Sequence, residues 1–258
     1  MTVASPPPEG EASQDEPTEN ALLGGRVRLL QPASGYRAGM DAALLAAAVA
    51  ARPGETVLEA GCGAGAVLTQ IAARRPGVSL VGVERDASVV GLARQNAKLN
   101  GIGDRMRVLE GDVGAAFKSL GLPRADWAVS NPPFFDDEGA LRAPSLAKRG
   151  AWIADDGLAV WVGFLTDGVK DGGRIVIIHR ADRLADLLAL LGPRCGSFAI
   201  RPVHPFADEP AKRVLVQAMR GGRAPLQLLP PLVLHDRSGA KHTTQAEAIL
   251  TGAADLGF

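Results

Sequence analysis

The stretch Thr56–Gly65, TVLEAGCGAG, decides the fold. Its first five residues, TVLEA, read as a short buried strand, and three glycines in the pattern G-x-G-x-G follow at once. Glycine lets a chain turn sharply and lets a ligand approach without a Cβ in the way. A helix pattern then runs from Ala64 to Arg75 and breaks at Pro76-Gly77. A strand, a glycine turn and a helix form the first half of a βαβ unit, and strands alternating with helices imply a parallel sheet.

Downstream the alternation continues. VSLVGVE (78–84) is a second apolar strand, and Asp86 stands where it can cap a helix over 87–100 that Gly101 closes. MRVLEGD (106–112) and ADWAVSN (125–131) are the third and fourth strands. A helix over 156–169, a fifth strand GGRIVIIH (172–179) and a helix over 181–191 come next. SFAIRPVHP (197–205) and AKRVLVQAMR (211–220) read as a closing antiparallel pair, and Thr244 with Glu247 fits a capping box for a last short helix. Upstream, residues 1–20 are rich in Pro, Glu, Ser and Thr, without periodic apolar positions, and read as a disordered tail. A short apolar piece at 26–30 leads into an Ala/Leu-rich helix from Met40 to Ala51, stopped by Pro53-Gly54. The expected fold is α/β: one domain over 21–258 with a lead-in segment at 26–52. Its core is a doubly wound, mostly parallel seven-stranded sheet with an antiparallel C-terminal edge strand.

Composition narrows the class. The 258 residues are 47% hydrophobic, enough for a sizeable core, and 28 basic residues balance 28 acidic ones. A net charge of zero gives no global footprint for nucleic acid, so any basic surface must be local. No apolar run is long enough to span a membrane. Cys62 and Cys195 are far apart and form no CxxC, which suits a reducing cytoplasm and excludes a thiolate zinc site. The four histidines, 179, 204, 235 and 242, show no metal-ligand spacing and read as surface or internally satisfied rings.

Candidate ligand-binding residues sit at the ends of the strands. A dinucleotide fingerprint wants G-x-G-x-x-G, so the spacing of Gly61, Gly63 and Gly65 disfavours NAD or FAD. Glu84 ends the second strand, where a carboxylate can accept both hydroxyls of a ribose, and Asp112 stands at the neighbouring strand end. Open α/β sheets bind ligands at that carboxyl edge. VLEAGCGAG, VGVERD and EGD, in this order, resemble the Rossmann-like S-adenosylmethionine-dependent methyltransferases. The resemblance implies adenosine held by Glu84 and Asp112, the methionine tail beside Gly61, Gly63 and Gly65, and Glu59 close to the methionine amino group.

The fourth strand runs into Ser130–Phe135, SNPPFF. A planar amine or amide nitrogen has a delocalised lone pair and is a weak nucleophile. Accepting hydrogen bonds from both of its N–H groups holds it with the lone pair toward an electrophile. The Asn131 side-chain oxygen can be one acceptor and the Pro132 carbonyl the other. Pro132 and Pro133 fix φ and offer no competing N–H. Phe134 supplies a face for a base to stack on, with Phe135 supporting it or packing inward. NPPF resembles the [DNS]-PP-[YFW] signature of methyltransferases that act on planar nitrogens, whose substrates are adenine N6, guanine N2 or a glutamine side chain.

LLQPASGYRAGMDAALLAA and LVLHDRSGAKHTTQAEAIL extend the resemblance to the bacterial tRNA(Val) adenine-N6 methyltransferase family over residues 26–252. That family implies a tRNA partner, with Gln31, Tyr36, Arg37 and Asp41 lining the cofactor's methionine end and the substrate entrance. This chain has Phe134 where Tyr is common, which keeps the stacking face and loses a hydroxyl. Arg142, Lys148 and Arg149 after the motif, with Arg201, Lys212 and Arg213, could touch phosphates beside a flipped base. A protein-glutamine methyltransferase and a guanine-N2 RNA methyltransferase share the motif, and a non-catalytic module on the same fold is the alternative from another class. The reading also expects no metal, no membrane contact and a monomer or weak dimer.

Overall fold

A computed structural model describes residues 17–33, 37–133 and 156–258. Two strands come first, β1 (Thr18–Leu22) and β2 (Val27–Gln31), paired antiparallel from Thr18↔Gln31 to Leu22↔Val27. After α1 (Met40–Ala47), β3 (Thr56–Ala60), α2 (Ala66–Arg74), β4 (Ser79–Glu84), α3 (Ala87–Leu99) and β5 (Met106–Glu110) alternate. A 3-10 turn (Phe117–Leu120) precedes β6 (Ala125–Ser130). Then come α4 (Asp156–Gly168), β7 (Val169–Arg180), a 3-10 turn (Ala181–Arg183) and α5 (Leu184–Leu191). β8 (Cys195–His204), β9 (Arg213–Arg220), β10 (Gln227–Leu228), β11 (Leu232–Val233) and α6 (Thr244–Leu250) close the chain.

The main sheet runs β10-β8-β9-β7-β6-β3-β4-β5, with β11 also on β8. It has nine strands, not seven; the two extra ones are two-residue additions parallel to β8. The antiparallel strand β9 lies inside the sheet between β7 and β8, not at its edge. β8 therefore runs in the same direction as β6 and β7. The connections reverse between β3 and β6, the switch point where open α/β sheets bind ligands.

Two apolar layers bury the sheet. Alternation along β7 sends Val176 and Ile178 to the layer under α1, α2 and α3, and Ile175 and Ile177 to the layer under α4 and α5. All four are fully buried, which gives the unbroken apolar run of a central strand.

Local chemistry explains the boundaries. Asp86 accepts hydrogen bonds from the N–H groups of Ser88 and Val89, the expected cap of α3. The cap of α6 is Thr243, one residue before the expected Thr244, and its hydroxyl accepts from Ala246 N at 3.2 Å; with Ala246 at the third helical position there is a single cap and no Thr244–Glu247 box. α1 ends at Ala47, short of Ala51, because tertiary donors take its carbonyls: Leu256 N–H bonds Ala47 O at 3.0 Å and Arg75 bonds Val49 O at 2.8 Å. Residues 18–20, expected within the disordered tail, belong to β1. TENAL has no apolar alternation, and its pairing is fixed by contacts such as the Glu19–Arg28 ion pair at 2.7 Å.

Candidate active site

The carboxyl ends of β3, β4 and β5 meet around the glycine loop. Gly61 N and Cys62 N both donate to Val83 O, at 2.8 and 3.1 Å, which ties the loop to β4. Gly61, Gly63 and Gly65 all have positive φ, at 66°, 53° and 82°. Their surroundings differ. A Cβ on Gly61 would fall 2.2 Å from the Trp161 ring of α4, and one on Gly65 would fall 2.7 Å from Met106 Cε. A Cβ on Gly63 would meet nothing within 4 Å. Gly61 and Gly65 thus serve packing as well as the turn, while Gly63 borders open space.

Glu84 is held by three backbone N–H groups. Oε1 accepts from Arg85 N at 2.8 Å and Asp86 N at 3.0 Å, and Oε2 accepts from Gly63 N at 3.1 Å. The carboxylate is fixed in direction and remains half-exposed at the crevice. Asp112, exposed beyond β5, accepts from Gly114 N at 2.8 Å. Glu59 is 2% exposed, and its Oε2 has no hydrogen-bond partner. Burial pushes its carboxyl well above the ordinary value, and the charge of Glu84 adds to this; a hydrogen bond from Leu68 N–H in the first turn of α2 opposes both. A buried, incompletely satisfied acid beside an open glycine and an oriented carboxylate is a donor and acceptor set suited to a ligand carrying an amino group and a ribose.

β6 delivers Asn131-Pro132-Pro133 to the same edge, next to β3. Ser130, fully buried, donates its hydroxyl to Ala60 O at 2.9 Å. That bond joins the residue before Asn131 to the residue before Gly61. Pro132 is buried, and Asn131 and Pro133 are half-buried.

The lead-in residues are engaged mostly with one another. Gln31, 4% exposed, donates to Asn20 Oδ1 at 2.9 Å and accepts from Ala38 N at 2.7 Å. The Arg37 guanidinium binds Thr18 Oγ1, Pro32 O and Asn20 Oδ1, so it shapes the loop before α1. Asp41 forms an ion pair with Arg213 at 2.9 Å, where β9 begins at the carboxyl edge. Asn96, fully buried, links this segment to the glycine loop by donating to both Leu30 O and Ala64 O. Arg201 bonds Pro230 O and Gly257 O and thereby fastens the C-terminal strap, which takes it away from phosphate contact. Lys212 is exposed beside Arg213. Tyr36, Phe134, Phe135, Arg142, Lys148 and Arg149 lie outside the described residues.

A profile described as the methyltransferase small domain matches residues 36–149. Over 198 residues the chain is 30% identical to a tRNA1(Val) (adenine(37)-N6)-methyltransferase of Porphyromonas gingivalis, covering 74% of this chain and 77% of that one. The chain belongs to that methyltransferase family. It is an S-adenosylmethionine-dependent enzyme. A release factor glutamine methyltransferase of Chlorobaculum tepidum is 28% identical over 145 residues, 53% of this chain and 49% of that one. The crystal structure of a predicted O-methyltransferase from Agrobacterium tumefaciens superposes with a TM-score of 0.72 at 27% identity, covering 84% of the methyltransferase and 99% of that chain.

Sequence reasoning passed over three features of the methyltransferase. One is Trp161, which backs Gly61. Another is Ser130, which joins the two motifs. The third is the burial of His179, which the sequence reading grouped with the other histidines as surface or satisfied rings. His179 ends β7 and is 3% exposed; burial, then the charges of Arg183, Arg180 and Arg213, push its ring down to about 4 against a smaller pull from Asp182. The signal available in sequence was position: His179 and His204 each fall at a strand end. Among the described residues no group of His, Cys, Asp or Glu could hold a metal ion, and no helix is long and apolar enough to cross a membrane.

Proposed function

We propose that the enzyme transfers a methyl group to the exocyclic N6 of an adenine in tRNA, with Asn131 and the Pro132 carbonyl as the acceptors that position the nitrogen. The observation that carries this reading is the adjacency of Asn131-Pro132-Pro133 to the glycine loop, secured by the Ser130–Ala60 hydrogen bond. S-adenosylmethionine, when bound, supplies an electrophilic methyl group. Glu84 would hold the ribose, Asp112 the adenine side, Glu59 the amino group, and Gly63 would give the backbone its closest approach. Neither of the acceptors at β6 needs to remove a proton before the attack. They would orient the two N–H groups so that the nitrogen lone pair faces the incoming methyl group, and the proton made surplus by the transfer would pass to water. The two prolines keep those acceptors from relaxing toward a competing backbone N–H.

The tRNA substrate follows from the relative of Porphyromonas gingivalis, which spans most of the chain, whereas the glutamine methyltransferase of Chlorobaculum tepidum aligns over about half. Both chemistries need the same acceptor pair, so the acceptor must be tested directly. The enzyme is incubated with tritiated S-adenosylmethionine and unmodified total tRNA, with rRNA and release factor in parallel, followed by nucleoside mass spectrometry. N6-methyladenosine recovered from tRNA, and lost in Asn131→Ala, is the expected result. Label in release factor alone would replace the adenine by a glutamine carboxamide.

A further inference from the structure

All four histidines of the chain, its only ones, gather on one half of the sheet's carboxyl edge. His179 ends β7, and His204 ends β8, which runs in the same direction. β11 pairs in parallel with β8, Val233 beside His204, and His235 follows two residues later with its N–H on Pro205 O. His242 stacks on His235 with ring centroids 5.2 Å apart and planes 27° apart. Phe206 approaches the other ring of the row, His235, at 5.4 Å, and the Arg237 guanidinium lies 4.4 Å above the centre of Phe206. Phe206, His235 and Arg237, three of these four flat groups, line an open cleft of about 440 Å³, with Val233 and Thr243 on its wall. That is within the size range of small-molecule sites.

From these observations we infer that the cleft between Phe206, His235 and Arg237 is a second RNA subsite, which stacks an unpaired nucleobase near the methylated adenine. The inference rests on the tRNA reading given above. Charge selects the base over the phosphate. Arg237 is already paired with Asp208 at 3.0 Å and Glu209 at 3.1 Å, and Asp236 lies on the same wall, so a phosphate would face more carboxylate than free cation. A neutral ring is not itself repelled there, and its N–H edge finds acceptors in Asp208 and Asp236, while its flanking phosphates must stay outside the cleft. Geometry fixes the histidine rings as well. The Nδ1 atoms of His235 and His204 lie 2.7 Å from the carbonyls of Lys241 and Glu209, so each ring donates there through Nδ1, which fixes its orientation.

Position relative to Asn131 agrees. From β6 to β8 there are three strand spacings, roughly 14 Å at about 4.8 Å each. An enzyme that takes one base out of its stack leaves the neighbouring bases without a partner, and a strand drawn across β7 and β9 reaches the cleft within a few nucleotides.

The test measures KM for unmodified total tRNA and Kd for S-adenosylmethionine in the wild type, Phe206→Ala and Phe206→Trp. Ultraviolet crosslinking of wild-type enzyme to tRNA, with peptide mapping, runs alongside. Phe206→Ala should raise KM for tRNA about tenfold, equivalent to about 1.4 kcal/mol and in the range of one base on one aromatic ring. Its cofactor Kd should not change, Phe206→Trp should stay near wild type, and crosslinks should map to residues 204–209 or 235–243. A folded Phe206→Ala enzyme with unaltered KM overturns the subsite. If that variant does not fold, crosslinks confined to other segments overturn it. A wild type that methylates no RNA defeats the tRNA reading and the subsite with it, whereas wild-type activity with an indifferent Phe206 defeats the subsite alone.

Discussion

The two halves of the carboxyl edge are built in opposite ways. The glycine-loop half, β3 to β5, is made of backbone amides and acids: three positive-φ glycines, Glu84 under three N–H groups, and Glu59 buried with an orphaned oxygen. The histidine half, β6 to β8, is made of side chains brought from separate loops, with arginines around His179 and an aromatic row beyond it. One half holds its groups by local turns and the other by tertiary contact. The difference teaches where each half is fragile. Backbone sites fail by loss of space, and side-chain sites fail by loss of one partner.

The largest expected effect separates chemistry from binding. Asn131→Ala should lower kcat by about 10²–10³-fold, the usual consequence of deleting one preorganised hydrogen-bonding group, while calorimetry finds the S-adenosylmethionine affinity unchanged. Parallel losses in both quantities would mean that the halves do not act separately.

Acid should then divide the halves by sign. His179 titrates in the fold at about 4 against an ordinary 6.5, so its contribution to stability is complete above pH 6.5 and is lost as pH falls toward 4. The loss is on the order of 3 kcal/mol. Glu59 runs the other way: its raised carboxyl contributes stability below the ordinary 4.5 and loses it as pH rises. Denaturant melts between pH 4 and 7.5 should show a flatter acid limb in His179→Asn and a steeper one in Glu59→Gln. Identical pH profiles for both variants and wild type would remove the contrast.

The smallest effect lies within the glycine loop. Gly61→Ala drives a methyl into Trp161 and should cost about 1–3 kcal/mol in a thermal or denaturant melt. Gly63→Ala meets open space, so its main result should be weaker cofactor binding with less loss of stability, though its positive φ adds some strain. If the two variants were indistinguishable in both assays, Gly63 would be a turn residue only.

The contrast also governs what the sequence revealed. β3 is read residue for residue as Thr56–Ala60, and Glu84, Asp86 and the glycines are found where the strand ends predict, because each depends on spacing within a few residues. β1 is missed because TENAL carries no apolar alternation and pairs through Asn20, Glu19 and Thr18 contacts to Gln31, Arg28 and Arg37. The position of β9 inside the sheet is missed because chain order does not fix strand order. The row of Phe206, His235 and His242 joins two loops, one after β8 and one between β11 and α6, and nothing in local spacing links the two. Arg201 reads as a surface cation and is instead a clamp on the backbone at Pro230 and Gly257.

The interior placement of β9 has a consequence during synthesis. On the ribosome β7 emerges before β9, so one side of a fully buried apolar strand, Ile175 to Ile178, has no partner until residues 181–220 have followed. At roughly 5–20 residues per second the nascent chain carries that open edge for a few seconds. Such an edge is a template for pairing with another chain. The wait between β7 and β9 is therefore the interval of synthesis in which the nascent chain is most open to mispairing.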